Sequence, residues 1–385
     1  MISTMQNIIN RNRVSYCLEC GKCSAVCPIT RWDRGGYASP RLLVEKAIEG
    51  RIEEVLNDRL FWSCLTCMRC SELCSSDVYF SEFLREVRAF AGNDGRSGNC
   101  THGDVVQTWG RIMTDPAINQ NRIGWLESDL RVSNDSDTVY FVGCLPYYDT
   151  MFKKLDVEGV QIARATVKIL NHLGIEPQVL LNERCCGHDQ LWEGDIKTFR
   201  SLAKLNLAQL RATGAKRIVT SCPECSRTLN LDYPKLVGPH GMEVLHLTQL
   251  LGQSAESGKL DFVADGSNLA VTYQDPCRLG HHQGVYNEPR TLLSALGLKL
   301  IEMDRARKTS ICCGTSCWAS CGQVSKNIQV ERLKEAKATG SDLLVTACVK
   351  CQIHFKCAQD DPTLKEKIDI KVRDITTLLA ERLYT

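Results

Sequence analysis

No stretch of this chain approaches the roughly 18 to 20 uninterrupted apolar residues that a helix needs to cross a bilayer. Any membrane contact is therefore expected to run through a partner. Neither sign of charge is in excess: 47 Lys and Arg against 45 Asp and Glu leave +2, which gives no grip on nucleic acid or an anionic lipid surface. Neither a GxGxxG fingerprint nor a P-loop occurs, so flavin or nucleotide binding would belong to another polypeptide. The opening MISTMQNIINRNRV places Asn10, Arg11, Asn12 and Arg13 where a signal peptide needs its apolar core.

Cysteine is what the chain has in abundance, 22 in 385 residues. Disulfide frameworks belong to small, secreted, loop-rich chains, whereas this one is long and carries helical stretches rich in Ala, Leu, Lys and Glu. The thiols read as reduced and metal-bound, which implies the cytoplasm or a similarly reducing compartment.

Spacing identifies the metal in the first ninety residues. Cys17, Cys20, Cys23 and Cys27 form C-x2-C-x2-C-x3-C followed by Pro28, and Cys64, Cys67, Cys70 and Cys74 repeat it with Ser75 in the proline's place. In two-cluster ferredoxins three closely spaced thiolates wrap one [4Fe-4S] cube and the fourth reaches the other cube. One cubane cluster then takes Cys17, Cys20, Cys23 and Cys74, and the other takes Cys64, Cys67, Cys70 and Cys27. Zinc would need two C-x2-C knuckles across a longer loop. The intervening LLVEKAIEGRIEEVL reads as a helix broken near Gly50, and FSEFLREVRAFA as a second helix on which Arg85 and Arg88 are expected to be solvated or to complement the helix dipole. Residues 1–95 are thus a helical ferredoxin-like two-cluster domain.

A Gly/Asn/Ser-rich breaker at 92–99 opens a linker over 96–136, which closes on the polar SNDSD. From there short β-branched runs alternate with helical ones, the signature of α/β units. TVYFV, QVLL and RIVT are strand-like, and GVQIARATVKILNHL and DIKTFRSLAKLNLAQLRA helix-like. LAVTY, KLIEM and DLLVT then repeat the strands, with a helix over 322–338. The cysteines recur in step. Cys144, Cys185-Cys186-Gly187 and Cys222-x2-Cys225 are matched by Cys277, Cys312-Cys313-Gly314 and Cys348-x2-Cys351, at offsets of 133, 127 and 126 residues. This is a tandem duplication over 137–255 and 256–385, with GQSAESG (252–258) near its seam. Each cysteine group follows a strand, where open α/β sheets place their ligands, so five thiols from three loops are expected to converge in each half. Gly187 and Gly314 allow a sharp turn beside the sulfurs.

These residues resemble the CCG-domain iron–sulfur oxidoreductases, the D subunit of heterodisulfide reductase among them. CLECGKCSAVCP, SPR and FWSCLTCMRCSELC look like the family's two-cluster part. FVGC, RCCGHDQ, SCPEC, DPCRLGHHQGVYNEPR, ICCGTSCW and ACVKC look like its CCG part. The resemblance implies two noncubane [4Fe-4S] clusters, one on Cys144, Cys185, Cys186, Cys222 and Cys225, the other on Cys277, Cys312, Cys313, Cys348 and Cys351. It also implies reduction of a disulfide between them, or else an electron-transfer component without its own substrate in a flavoprotein, quinone-linked or benzoyl-CoA reductase-type complex. A flavin- or haem-bearing partner is expected beside the two-cluster domain. A zinc or cysteine-rich scaffold is the third reading.

Several neighbours could tune clusters or meet substrate: His188, Asp189, Arg278, His281, His282 and Lys350. The last three are the catalytic candidates, a histidine as proton donor to a departing thiolate. Cys100, Cys317, Cys321 and Cys357 remain, by default buried and inert. Cys317 and Cys321 would share one face if helical.

Overall fold

A computed structural model describes residues 2–33, 35, 37–256, 262–263 and 269–383. Of the expected seam between the halves, residues 257 and 258 lie outside the described residues.

The first ninety residues are helical. Ser39 caps the helix Pro40–Ile48 by accepting from the Leu42 amide at 3.4 Å, with Pro40 in the first turn, where a missing N–H costs nothing. The chain breaks at Gly50 and resumes as Ile52–Leu56. The helix Phe80–Asn93 packs Phe83, Leu84, Val87 and Ala91 inward.

Arg85 and Arg88 lie on that same buried side, contrary to the expectation that they are solvated; they are 3% and 2% exposed. Arg88 donates to the carbonyls of Phe61, Trp62, Cys64 and Trp192, and Arg85 pairs with Glu82 at 2.8 Å. For Arg88 the cause is the C-terminal ends of the helices Arg59–Ser63 and His188–Glu193, whose last carbonyls, with that of Cys64, lack a partner within the helix. A buried acceptor left unpaired is costly. Arg85 is drawn in by the carboxylates of Glu82 and Glu86.

Two four-stranded sheets follow. Strands β1 (Thr138–Tyr140), β2 (Gln178–Val179), β3 (Arg217–Thr220) and β4 (Glu243–His246) lie in the order β2-β1-β3-β4. Strands β5 (Ala270–Gln274), β6 (Lys299–Leu300), β7 (Leu343–Thr346) and β8 (Lys371–Asp374) lie in the order β6-β5-β7-β8. Every pairing is parallel. Identical strand order in the two sheets is the structural form of the repeat. The chain leaves β1 to one side for β2 and returns on the other for β3, so a topological switch point, the customary ligand crevice, falls at β1 and again at β5.

The halves share one core. Helix Gly159–His172 of the first packs on Ile375–Ala380 of the second, and Leu247–Glu256 packs on Glu288–Ala295. The helical domain is continuous with the second half: Leu43, Phe83 and Val87 belong to the same apolar cluster as Ile328, Leu333 and Phe355. Trp32 donates to Glu331 across that boundary at 2.6 Å. The stretch 96–136 contributes the helix Val105–Ile112 and the buried Arg122. Among the described residues, no helix is long and apolar enough to cross a membrane.

Candidate metal centres

In the helical domain Cys17, Cys20, Cys23 and Cys74 line one small cavity, which Cys70 also borders. Cys27 lies instead beside Cys64, Cys67 and Cys70, close enough for its charge to push all three thiols up. Burial is the larger cause, and it takes Cys64 and Cys67 to about 12. The fourth cysteine of each motif thus stands with the other motif's triad. Left-handed residues in the loops, Glu19, Thr66 and Met68, turn the backbone so that the amides of Glu19 and Thr66 reach the sulfurs of Cys17 and Cys64 at 3.4 Å. Thiols buried at such cost, under amides aimed at sulfur, suit thiolates bound to a cationic cluster, because metal replaces the protons.

Each sheet gathers five more sulfurs. In the first half Cys144 follows β1, Cys185 and Cys186 follow β2, and Cys222 and Cys225 follow β3. All five are buried, with Cys144 and Cys185 3.5 Å apart through their sulfurs. Hydrogen bonds from Cys144 and Cys186 hold Cys185 well below the ordinary thiol range; Cys186 in turn touches Cys225, and Cys225 touches Cys222. The second half repeats this series: Cys277 to Cys312, Cys312 to Cys313, Cys313 to Cys351 and Cys351 to Cys348. There Cys313 takes the place of Cys185, lowered to about 6 by bonds from Cys312 and Cys351. Five thiols exceed the four that tetrahedral zinc uses, and a multi-iron cluster matches the donor set.

The glycine after each pair takes a left-handed backbone conformation in a tight space. Gly187 has φ +82 and a Cβ there would stand 2.8 Å from the Phe199 ring; Gly314 has φ +94 and a Cβ would stand 2.7 Å from the Ser325 carbonyl oxygen.

The two five-sulfur sets face each other across a seam crossed by ion pairs. Lys350, inside the last C-x2-C, extends its ammonium from the second half to Asp189 (2.6 Å) and Glu224 (2.8 Å) of the first, and Glu224 lies inside the other C-x2-C. Burial opposes the ammonium's charge, but the two carboxylates outweigh it and hold Lys350 well above the usual lysine range. His188, Asp189 and Glu224 could by geometry hold a cation together, and the cation they meet is that ammonium. Burial pushes His188 down to about 3, so its ring is neutral; Nδ1 faces Asp189 and Nε2 accepts from Arg278 at 2.9 Å. Trp192 and Trp318, both fully buried, cover this region, with Arg278 4.2 Å from the centre of the Trp192 ring and Lys350 5.0 Å from that of Trp318.

His281 and His282 point elsewhere, toward the Cys64–Cys70 loop. His281 donates to the Cys67 carbonyl and His282 to the Thr66 carbonyl, each at 2.9 Å. Burial keeps both below the ordinary histidine range.

Cys317 and Cys321 are not on a helix, which corrects the shared-face expectation. They lie in an irregular strap in which Cys317, Trp318 and Ser320 all have φ +54. The strap is pinned by backbone bonds from Thr101 to Trp318 and from Ser320 to Asn99, and by Gln107 donating to the Cys317 carbonyl. Cys317 is buried and its thiol raised to about 12 by burial; Cys321 is exposed, against the default of burial, and Cys100 and Cys357 are half-buried.

Two further residue pairs matter and were not singled out from the sequence. Glu183 accepts from the Val142 and Gly143 amides, fixing the turn before Cys144, and pairs with buried Arg122 at 2.8 Å. Asp275, two residues before Cys277, is held by Arg290 at 2.8 and 3.0 Å and accepts from the Arg307 amide. Their one sequence signal is position: Glu183 and Asp275 each stand two residues before a motif cysteine, Cys185 and Cys277.

Comparison with known proteins agrees with this layout. The cysteine-rich CCG domain matches twice, over residues 138–230 and 271–356, and a 4Fe-4S dicluster domain matches residues 13–78. The chain belongs to the CCG-domain family of iron–sulfur oxidoreductases that includes the heterodisulfide reductase D subunit. It is 30% identical to the D subunit of the dihydromethanophenazine:CoB–CoM heterodisulfide reductase of Methanosarcina barkeri, over 95% of this chain and 93% of that one. It is 27% identical to the B subunit of a fumarate reductase (CoM/CoB) of Methanothermobacter marburgensis, over 94% and 71%. It is 25% identical to an EtfAB:quinone oxidoreductase of Syntrophomonas wolfei, over 87% and 54%. The chain is thus an iron–sulfur oxidoreductase with relatives that are subunits of redox complexes.

Proposed function

We propose that the chain reduces a disulfide at the seam between its two five-cysteine sets, with electrons supplied through the helical domain by a flavin- or haem-bearing partner. The supporting observation is the seam itself: two complete sets brought face to face by a lysine from inside one C-x2-C that bonds a glutamate inside the other. The helical domain would hold two cubane clusters, on Cys17, Cys20, Cys23 and Cys74 and on Cys64, Cys67, Cys70 and Cys27. The halves would hold one noncubane cluster each, on Cys144, Cys185, Cys186, Cys222 and Cys225 and on Cys277, Cys312, Cys313, Cys348 and Cys351. When bound, these groups supply single electrons and iron sites able to take up sulfur.

The balance is one disulfide, two electrons and two protons giving two thiols. The chain's own residues supply the setting. Trp192 and Trp318 exclude water, which strengthens every charge inside. Lys350 stands where a thiolate would develop, and Asp189 and Glu224 keep it charged for that purpose. Arg278 and neutral His188 hold Asp189 in line. His281 and His282 serve as positioning residues for the Cys64–Cys70 loop.

The buried state of Lys350 also favours a second reading, a relay that passes electrons to a partner without opening the seam. Turnover separates the two. Anaerobic reduction of a dialkyl disulfide by the loaded chain should be abolished in both Cys186→Ser and Cys313→Ser. Full-rate turnover in either variant, or none in the wild-type chain, removes the reductase reading.

A further inference from the structure

The two halves are copies, yet they do not meet the helical domain alike. After Cys277 the chain makes one short turn, Gly280–Gln283, and three side chains around it converge on two consecutive residues of the other cysteine loop. Arg278, 3% exposed, donates to the Thr66 carbonyl at 2.5 Å and to the Thr66 hydroxyl at 2.7 Å. His282 reaches the same carbonyl, and His281 the carbonyl of Cys67. Thr66 lies between Cys64 and Cys67 and is completely buried. The Nη2 that meets the Thr66 hydroxyl also reaches the Ser316 hydroxyl at 3.4 Å, and Nε donates to His188 at 2.9 Å.

The equivalent segment after Cys144 reads LPYYDTM and contains no arginine, lysine or histidine. Its Tyr148 accepts from Trp318 instead. The first half meets the helical domain chiefly through its helix Phe80–Asn93: Arg227 pairs with Glu82 at 2.6 Å, and Arg88 reaches the Trp192 carbonyl, six residues beyond Cys186. Cys67, by contrast, lies close enough to the second set to feel the charge of Cys277 and to act on Cys312.

We infer that Arg278 is the positioning residue that locks the Cys64–Cys70 loop onto the Cys277 set, so that electrons leaving the helical domain enter the second half first and reach the first half only across the seam. This rests on the cluster reading proposed above. The step is a single electron transfer: the 64–70 site is oxidised, the 277–351 site is reduced, and no bond is made or broken.

The test uses the full chain loaded with iron and sulfide. Cys20 is exposed, whereas nine of the ten cysteines in the two five-cysteine sets are buried and Cys277 is half-buried, so a photoreduced flavin in solution delivers electrons to the helical domain. Freeze-quenched EPR then follows the order of reduction. The signal altered in Cys313→Ser marks the second half, and the signal altered in Cys186→Ser marks the first. The expected result is that the second-half signal changes first in the wild-type chain. In Arg278→Gln and Thr66→Val that lead is lost at unchanged iron content, and Arg278→Lys restores it in part. Thr66→Val removes only a hydroxyl, so it answers the question even where Arg278→Gln does not fold. First-half reduction in the wild-type chain, or an unaltered order and rate in both variants, overturns the inference. Were neither serine variant to lose iron or alter any signal, the cluster reading beneath it would fall instead.

Discussion

Lys350 is the buried ammonium that crosses the seam, and its energetics follow from what surrounds it. An ammonium buried between two carboxylates is stable only while all three are present, since removing one partner leaves uncompensated charge. Lys350→Met should therefore lower the unfolding free energy by about 3–5 kcal/mol, read as a shift in the urea midpoint. An unchanged midpoint would show that Asp189 and Glu224 find water in place of the ammonium. The four cysteines outside the proposed ligand sets differ just as sharply in exposure. Thiol reactivity needs access and thiolate character, so iodoacetamide should label Cys321 first and leave Cys317 unmodified in the folded, loaded chain. Peptide mass spectrometry checks this, and early labelling of Cys317 would mean that the 316–320 strap opens readily.

At the scale of elements, the loops that carry the cysteines depend on a few unforgiving positions. Gly314→Ala forces a left-handed alanine whose Cβ meets a backbone oxygen, which costs more than about 1 kcal/mol. Gly187→Ala meets only an aromatic ring edge, which can shift. Alanine at 314 should thus cost the second half its iron, while alanine at 187 leaves most of the first half's iron in place; equal losses would show that the left-handed backbone, common to both sites, decides. Glu183→Gln breaks the buried pair with Arg122 and should destabilise by about 3–5 kcal/mol, with the Cys144 loop the first to loosen in hydrogen exchange. These elements also show where sequence reading stops. Cysteine spacing revealed the two motifs and the duplication because ligand geometry constrains neighbours along the chain. Six strands were legible from their β-branched runs. Strands β4 (EVLH) and β8 (KVRD) were not, because an edge strand of four residues with charged positions has no distinctive pattern. Arg88 looked solvated because nothing local announces that distant segments will present bare carbonyls to it. The Cys317 strap defeated helical spacing because it is held by tertiary bonds to residues 99–107, more than two hundred positions away.

In the whole molecule, three units share continuous cores, so electron path and seam are set by one rigid arrangement rather than by docking of separate domains. The helical domain leans on the second half, the second half reaches through Lys350 and Arg278 into the first, and the two five-cysteine sets end up facing one another. Such a layout predicts about sixteen irons per loaded chain, a composition that zinc sites cannot give. The proposal that the paired sets act on sulfur is tested most directly by EPR of the oxidised, loaded chain before and after addition of an alkyl thiol. A seam that binds substrate predicts a new or shifted signal with thiol, absent in Cys186→Ser and Cys313→Ser. A spectrum that thiol leaves unchanged in the wild-type chain would contradict it and leave the molecule an electron relay.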